Sequence, residues 1–125
     1  MTALMSWLDK FTDRNGSLFA RIFIGLLFLV TGLLALQNFA GTSGMIAGKG
    51  FPLAGLLAVL IIAMKLGGAA ALLLNQRVRL GALALIVFTV LATVFYHLSW
   101  DQNVAFLKNL AIIGGLLLVY RDAKN

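Results

Sequence analysis

The residues best suited to chemistry lie in a polar break between the last two apolar segments of the chain, residues 95–109. This break holds the only histidine, His97, followed by Asp101 and by Lys108 and Asn109. A histidine exchanges a proton near neutral pH, and a nearby carboxylate can orient its ring. A lysine adds a fixed positive charge. Such a group suits a quinone-like molecule, whose oxygens need hydrogen-bond partners and whose tail needs an apolar approach.

Other polar residues occur at the end of the first apolar segment, where Gln37 and Asn38 stand together. If the apolar segments pack side by side, these ends converge with the polar break. We therefore predict one outward-facing ligand pocket, whose candidate residues are Gln37, Asn38, His97, Asp101, Lys108 and Asn109. The alternative is an aromatic belt with ordinary interfacial polar residues, because Tyr and Trp favour that depth in any membrane protein.

Lys65 is the one charged residue deep inside an apolar segment. A lysine near the middle of a membrane costs about 3 kcal/mol on insertion scales, which makes it a functional candidate. No acidic residue occurs in any apolar segment. Lys65 must therefore be neutral, reach water, bond to groups such as Thr31 or Thr89, or meet a partner chain. The alternative is that its side chain extends towards the cytoplasmic surface while the bilayer thins locally.

The composition indicates a membrane protein. Of 125 residues, 62% are hydrophobic and 11% are charged, whereas soluble domains are about half apolar and about a quarter charged. The net charge is +6, but the basic residues form no patch interleaved with aromatic residues. We therefore expect the partner to be the lipid bilayer and not nucleic acid. With no cysteine and one histidine, we expect neither disulfides nor a metal site.

The expected fold is all-α, an integral membrane four-helix bundle formed by residues 17–125. Its spans are the apolar segments 18–39, 53–74, 80–98 and 104–120, since about 20 apolar residues cross the hydrocarbon core. Residues 1–16 have apolar side chains at helical spacing and predict an amphipathic segment in the interface. Alternatively, they simply extend the first span. Residues 40–52 contain four glycines and the only proline, which favours a bent connection along the membrane surface.

The basic residues predict the orientation. Lys49 and Lys108 fall on one side of the predicted spans, and the other side carries Lys10, Arg14, Arg77, Arg79, Arg121 and Lys124. Because cytoplasmic flanks are enriched in lysine and arginine, we expect both termini in the cytoplasm. The polar break at 95–109 then faces outward.

Several short motifs follow one another along the chain. They are Arg21-x3-Gly25-x2-Phe28-x3-Gly32, Phe51-Pro52, Gly67-Gly68, His97, Phe106-Leu107-Lys108-Asn109 and Gly114-Gly115. In this order they resemble the DoxX-like family of small four-helix inner-membrane proteins, over residues 21–118. The sequence departs from the family pattern at Ala35 and Lys65, where members often have lysine and glutamate. An intramembrane Lys–Glu pair is thereby replaced by a lone base.

The resemblance implies a multi-pass protein of the bacterial inner membrane associated with redox systems. Members are linked to thiosulfate:quinone oxidoreductase subunits and to oxidative-stress complexes with partner enzymes. The leading hypothesis is therefore a membrane subunit of a quinone-linked redox system, with quinone as its ligand and a redox partner protein. The alternative is a non-catalytic anchor or assembly factor for a partner protein or a second copy. A small-solute carrier is disfavoured by the lack of internal repeats. The residues leave open whether the protein is an enzyme.

Overall fold

The computed structural model describes residues 1–96 and 103–124. In this part of the chain all regular structure is helical, without a strand. The five helices are α1 (Thr2–Gln37), α2 (Phe39–Gly48), α3 (Ala54–Leu74), α4 (Val78–Tyr96) and α5 (Asn103–Asp122).

Three of these helices are long and apolar enough to cross a membrane. They are α1, α3 and the stretch Val104–Asp122 of α5. The remaining long helix, α4, is apolar over the somewhat shorter stretch Val78–Val94. The expectation of an all-α membrane protein is confirmed at this level.

Helix α1 continues without interruption through Asn15 and Gly16, where a boundary before the first span was expected. Its 36 residues correspond to a length of about 54 Å at the usual helical rise, well beyond the ~30 Å hydrocarbon core. The backbone therefore follows the alternative in which residues 1–16 extend the first helix. Whether that extension lies in the membrane interface stays a prediction.

The connection after α1 contains a helix of ten residues, α2, where the glycines and the proline favoured an irregular bend. Its first turn is capped by Asn38, whose side-chain oxygen accepts a hydrogen bond from the Gly41 backbone N–H at 3.3 Å, an arrangement favoured at helix N-termini. α2 packs against α1 and α3 and buries Ile46. It therefore forms an apolar cover over one end of α3.

Each of the helices α1, α3, α4 and α5 packs against two of the other three, in the order α1–α3–α4–α5–α1. The turn between α3 and α4 has only three residues, beginning at Asn75 in the left-handed conformation (φ 55°) that asparagine tolerates well. So short a turn makes α3 and α4 antiparallel neighbours. Residues equally distant from the turn consequently lie opposite each other.

The buried core lies in the half of the molecule nearest this turn, which we call the turn half. It is formed by Phe28, Ala69, Leu72, Val78, Ala82, Leu85, Leu116 and Val119. Glycines let the helices approach closely here. A Cβ on Gly68 would stand 2.5 Å from Leu85 Cγ and 3.0 Å from the Gly81 carbonyl oxygen. At the same end, Arg21 Nη1 donates a hydrogen bond to the Leu72 carbonyl at 2.9 Å.

Candidate functional site

A polar cavity of about 160 Å³ lies between the four long helices, on the side of the core away from the α3–α4 turn. Every one of these helices contributes to its wall. The ten lining residues are Leu27, Phe28 and Thr31 from α1, Lys65 from α3, Phe88, Thr89 and Ala92 from α4, and Lys108, Asn109 and Ile112 from α5. Polar groups from separate helices therefore meet between the four long helices.

Lys65 lies near the middle of α3, eleven residues after Ala54, or about 16 Å along the helix. Its side chain is half-buried, and its Nζ lies 5.2 Å from the centre of the Phe88 ring. Contact of an ammonium group with an aromatic face stabilises it by about 0.5–2 kcal/mol, less than the ~3 kcal/mol cost of a mid-membrane lysine. Among the described residues, Nζ has no hydrogen bond or salt bridge.

The stem of Lys65 is held by a close approach of α1. A Cβ on Gly32 would stand 3.4 Å from Lys65 Cβ and 2.8 Å from Leu66 Cδ2. The absence of a side chain at Gly32 lets α1 and α3 pack closely here. Gly32 therefore lies directly beside the lysine stem.

A second lysine reaches the same cavity from α5. Lys108 is exposed, whereas the neighbouring Asn109 is buried, with 8% of its surface accessible. None of the ten described lining residues is acidic. Two protonated lysine side chains in one cavity repel each other. Among the described residues, the lining of the cavity is therefore basic and has no carboxylate.

The threonine hydroxyls in this region already donate their protons to helix carbonyls. Thr89 Oγ1 donates to the Leu85 carbonyl at 2.7 Å, and Thr31 Oγ1 approaches the Phe28 carbonyl at 3.4 Å. Among the described lining residues, the donors that remain for a ligand are the two lysine side chains and the Asn109 amide. This arrangement favours a ligand that accepts hydrogen bonds.

An apolar groove of about 250 Å³ adjoins the polar cavity. It lies between α2, α3 and α4 and has almost no polar surface. Its lining residues are Ile46, Phe51, Leu57, Leu60, Ile61, Met64, Phe88, Leu91 and Ala92. Two of them, Phe88 and Ala92, also line the polar cavity. A polar compartment and an apolar compartment therefore share one wall on α4.

The structure separates the candidate residues of the predicted outward pocket. Lys108 and Asn109 line the polar cavity together with Lys65. Gln37 and Asn38 are exposed at the end of α1 and do not line it, and the Asn38 side chain instead caps α2. His97 and Asp101 lie outside the described residues.

Sequence reasoning named Lys65 and its polar neighbours Thr31 and Thr89, all three of which line the cavity. It did not pair Lys65 with Lys108, and it missed Phe88. The signal for Phe88 was present, because Lys65 and Phe88 lie at nearly equal distances from the α3–α4 turn. That Lys108 lines the same cavity depends on how α5 packs against the other helices, and local sequence patterns do not predict this packing.

Comparison of the sequence with known proteins identifies its family. The model of the DoxX family matches residues 16–98, about two thirds of the chain. The chain belongs to the DoxX family. It is 35% identical to the inner membrane protein YqjF of Escherichia coli strain K12, over 88% of this chain and 85% of that protein. It is 30% identical to the inner membrane protein YphA of the same strain, over 82% and 79%. No solved structure matches.

These comparisons confirm the predicted family and a location in the inner membrane. The DoxX match includes the cavity residues of α1, α3 and α4, Lys65 among them. Lys108 and Asn109 lie beyond its end. The α5 wall of the cavity is therefore outside the part of the chain that the family model matches.

Proposed function

We propose that this DoxX-family protein binds a membrane quinone and serves as the membrane subunit of a redox system. The observation that carries the proposal is the shared wall between the polar cavity and the apolar groove, formed by Phe88 and Ala92. An isoprenoid quinone has the same two parts, a ring with two carbonyl oxygens and an apolar tail. The ring would occupy the cavity and the tail would follow the groove.

The cavity suits a quinone ring in size and chemistry. Its 160 Å³ are close to the ~150 Å³ of an engineered cavity that binds benzene, the space of one six-membered ring. The ammonium groups of Lys65 and Lys108 and the Asn109 amide are donors for carbonyl oxygens, and charged donors make the stronger hydrogen bonds. Phe28 and Phe88 offer aromatic surface to the ring.

Electrons would have to come from another protein. The chain has no cysteine and a single histidine, so it cannot supply the thiolates that hold iron–sulfur clusters. We therefore propose that a redox partner protein docks at the membrane surface and reduces or oxidises the bound quinone. This protein would provide the quinone site of the complex.

We also propose that α1, α3, α4 and α5 all cross the membrane as a four-helix bundle within residues 17–125, with both termini in the cytoplasm. The supporting contact joins the start of α4, just after the basic α3–α4 turn, to the end of α5, where Arg79 Nη2 donates to the Tyr120 hydroxyl at 3.1 Å. The basic residues of the turn and of the C-terminus thus lie at one end of the molecule. A C-terminal reporter active only in the periplasm would contradict this topology.

The quinone proposal is tested by a bulky substitution in the wall that the cavity and the groove share. Ala92→Phe adds a ring between cavity and groove, whereas Val90→Phe adds volume on an exposed side of the same helix. Both variants and the wild type are purified from native membranes, and the quinone that copurifies is measured by mass spectrometry per mole of protein. We expect near-stoichiometric quinone with the wild type and Val90→Phe, and at least a tenfold loss with Ala92→Phe.

The competing function is a membrane anchor for a partner protein. The observation in its favour is the exposed N-terminal part of α1, where Trp7 stacks on Phe11 with ring centres 5.4 Å apart. Equal, substoichiometric quinone in all three preparations would contradict the quinone proposal and favour the anchor.

A further inference from the structure

We infer that the head group held in the polar cavity carries a negative charge. This inference rests on the proposed function, because it specifies which form of a quinone-like ring the site prefers: one with a deprotonated ring hydroxyl, as in a hydroxyquinone or a reduced quinol, with its negative oxygen between Lys65 and Lys108. The same charge would attract any amphiphile with an anionic head and an apolar tail.

The first support is the imbalance of charge around the cavity. Lys65 and Lys108 come from different helices, and no acidic residue is present among the ten described residues of the lining. The contact of Lys65 Nζ with the Phe88 ring, at 5.2 Å, offsets only part of the loss of hydration. An anion between the two ammonium groups supplies the missing partner and removes their mutual repulsion.

The second support is the direction of the available hydrogen bonds. Because Thr89 and Thr31 direct their hydroxyl protons at helix carbonyls, a ligand meets the donors of Lys65, Lys108 and Asn109. A neutral carbonyl uses such donors, but an anionic oxygen uses them in shorter and stronger charge-assisted bonds. The site therefore discriminates in favour of the charged form.

The third support is the enclosure of the lysine stem. A Cβ atom added to Gly32 would stand 3.4 Å from Lys65 Cβ. The helices α1 and α3 therefore leave the lysine stem little room beside Gly32. The Nζ atom lies 5.2 Å from the centre of the Phe88 ring, which is part of the cavity wall. A charge held in place before the ligand arrives loses little freedom on binding.

The test uses three probes with the purified protein in neutral-lipid nanodiscs at neutral pH. The first is 2-hydroxy-3-prenyl-1,4-naphthoquinone, which ionises at its hydroxyl. The second is its methyl ether, which has the same ring and tail without the charge. The third is palmitate, an anion that is not a quinone. Binding is measured by isothermal titration calorimetry for the wild type, Lys65→Met, Lys108→Met and the control Lys49→Met, which removes a lysine outside the cavity lining.

We expect the ionised naphthoquinone to bind about tenfold more tightly than its ether, the factor that one charge-assisted hydrogen bond supplies. Lys65→Met and Lys108→Met should each reduce that preference, and Lys49→Met should retain it. Equal affinities for the naphthoquinone and its ether would overturn the inference while leaving the quinone proposal intact. Binding of palmitate with neither quinone would support the anionic site and contradict the proposed function. Binding of none of the probes would overturn both.

Discussion

The turn half of the molecule and the half around the polar cavity, which we call the cavity half, are built from the same four helices. Their helices nevertheless pack in different ways. In the turn half, glycines bring the helix backbones together and Leu72, Leu85 and Leu116 are completely buried. In the cavity half, the helices enclose a space whose lining includes two lysines, two threonines and an asparagine beside apolar side chains.

The difference follows from what holds helices together in lipid. Apolar side chains gain little from leaving lipid for a protein core, so close packing of small residues stabilises the bundle. The turn half has this kind of contact at Gly25, Gly68 and Gly81. The cavity half has one such contact, at Gly32, and encloses polar groups between its helices. We therefore expect the turn half to contribute more to the stability of the fold than the cavity half.

The largest effect is expected from Gly68→Val in the turn half. The new side chain would collide with Leu85 and with the Gly81 carbonyl and should lower the free energy of unfolding by about 3 kcal/mol. The control is the adjacent Gly67→Val, because a Cβ on Gly67 meets nothing within 4 Å. Both are measured by SDS titration in mixed micelles. Equal losses at the two glycines would contradict the close packing of α3 on α4.

The next effect is expected from Leu85→Ala, which removes a completely buried side chain of the same core. We expect a loss of about 2 kcal/mol, at the low end for such substitutions, because lipid replaces water as the reference environment and mainly the packing term remains. Leu83→Ala, on an exposed position of α4, should change the free energy of unfolding by less than about 0.5 kcal/mol. A comparable loss for Leu83→Ala would show that the core is misplaced.

In the cavity half we expect a substitution that raises the free energy of unfolding instead of lowering it. Lys65→Leu replaces a lysine without a described counter-ion by apolar volume, so the ligand-free protein should be about 1 kcal/mol more stable. Lys49→Leu, at an exposed site beyond α2, is the control and should give no gain. Thermal unfolding in detergent, after ligand removal, measures both. A variant that fails to accumulate would reveal a structural partner of Lys65.

The smallest effect is expected from Tyr120→Phe at the turn half. This change removes the hydrogen bond from Arg79 but keeps the ring, whose centre lies 4.6 Å from the Arg79 guanidinium carbon. Because the contact is exposed, we expect a loss of about 0.5 kcal/mol. Tyr120→Ala should lose more, since it also removes the cation–π contact. If both variants unfold like the wild type, the Arg79–Tyr120 contact contributes nothing to stability.

The apolar segments predicted α3 and α5 to within two residues at either end, because lipid imposes a long apolar stretch that the sequence must display. The start of α1 was harder to predict from the sequence. Asn15 and Gly16 are common at helix ends, but a helix already formed on both sides continues through them. Residues 40–48 have too many glycines to indicate α2 from the sequence alone, and its packing on α3 and the Asn38 cap accompany the helix.

The candidate site was predictable residue by residue but not as an arrangement. Lys65 stands out because a charge inside an apolar segment is rare. Its meeting with Lys108 is a tertiary fact, set by the register of α5 against α1 and α4. The polar residues at the end of α1 seemed equivalent to those of α5 in the sequence. Asn38, however, has a local use as a helix cap, which draws its side chain away from the cavity.

The unbroken length of α1 has a mechanical consequence. Gly25 is the point at which α1 presses most closely on Leu73 of α3, and it divides the helix into unequal arms. Thr31, at the cavity, is about 9 Å from that point, whereas Thr2 is about 34 Å away on the other side. If α1 rocked as a rigid rod about Gly25, a movement at the cavity wall would be amplified about fourfold at the N-terminus.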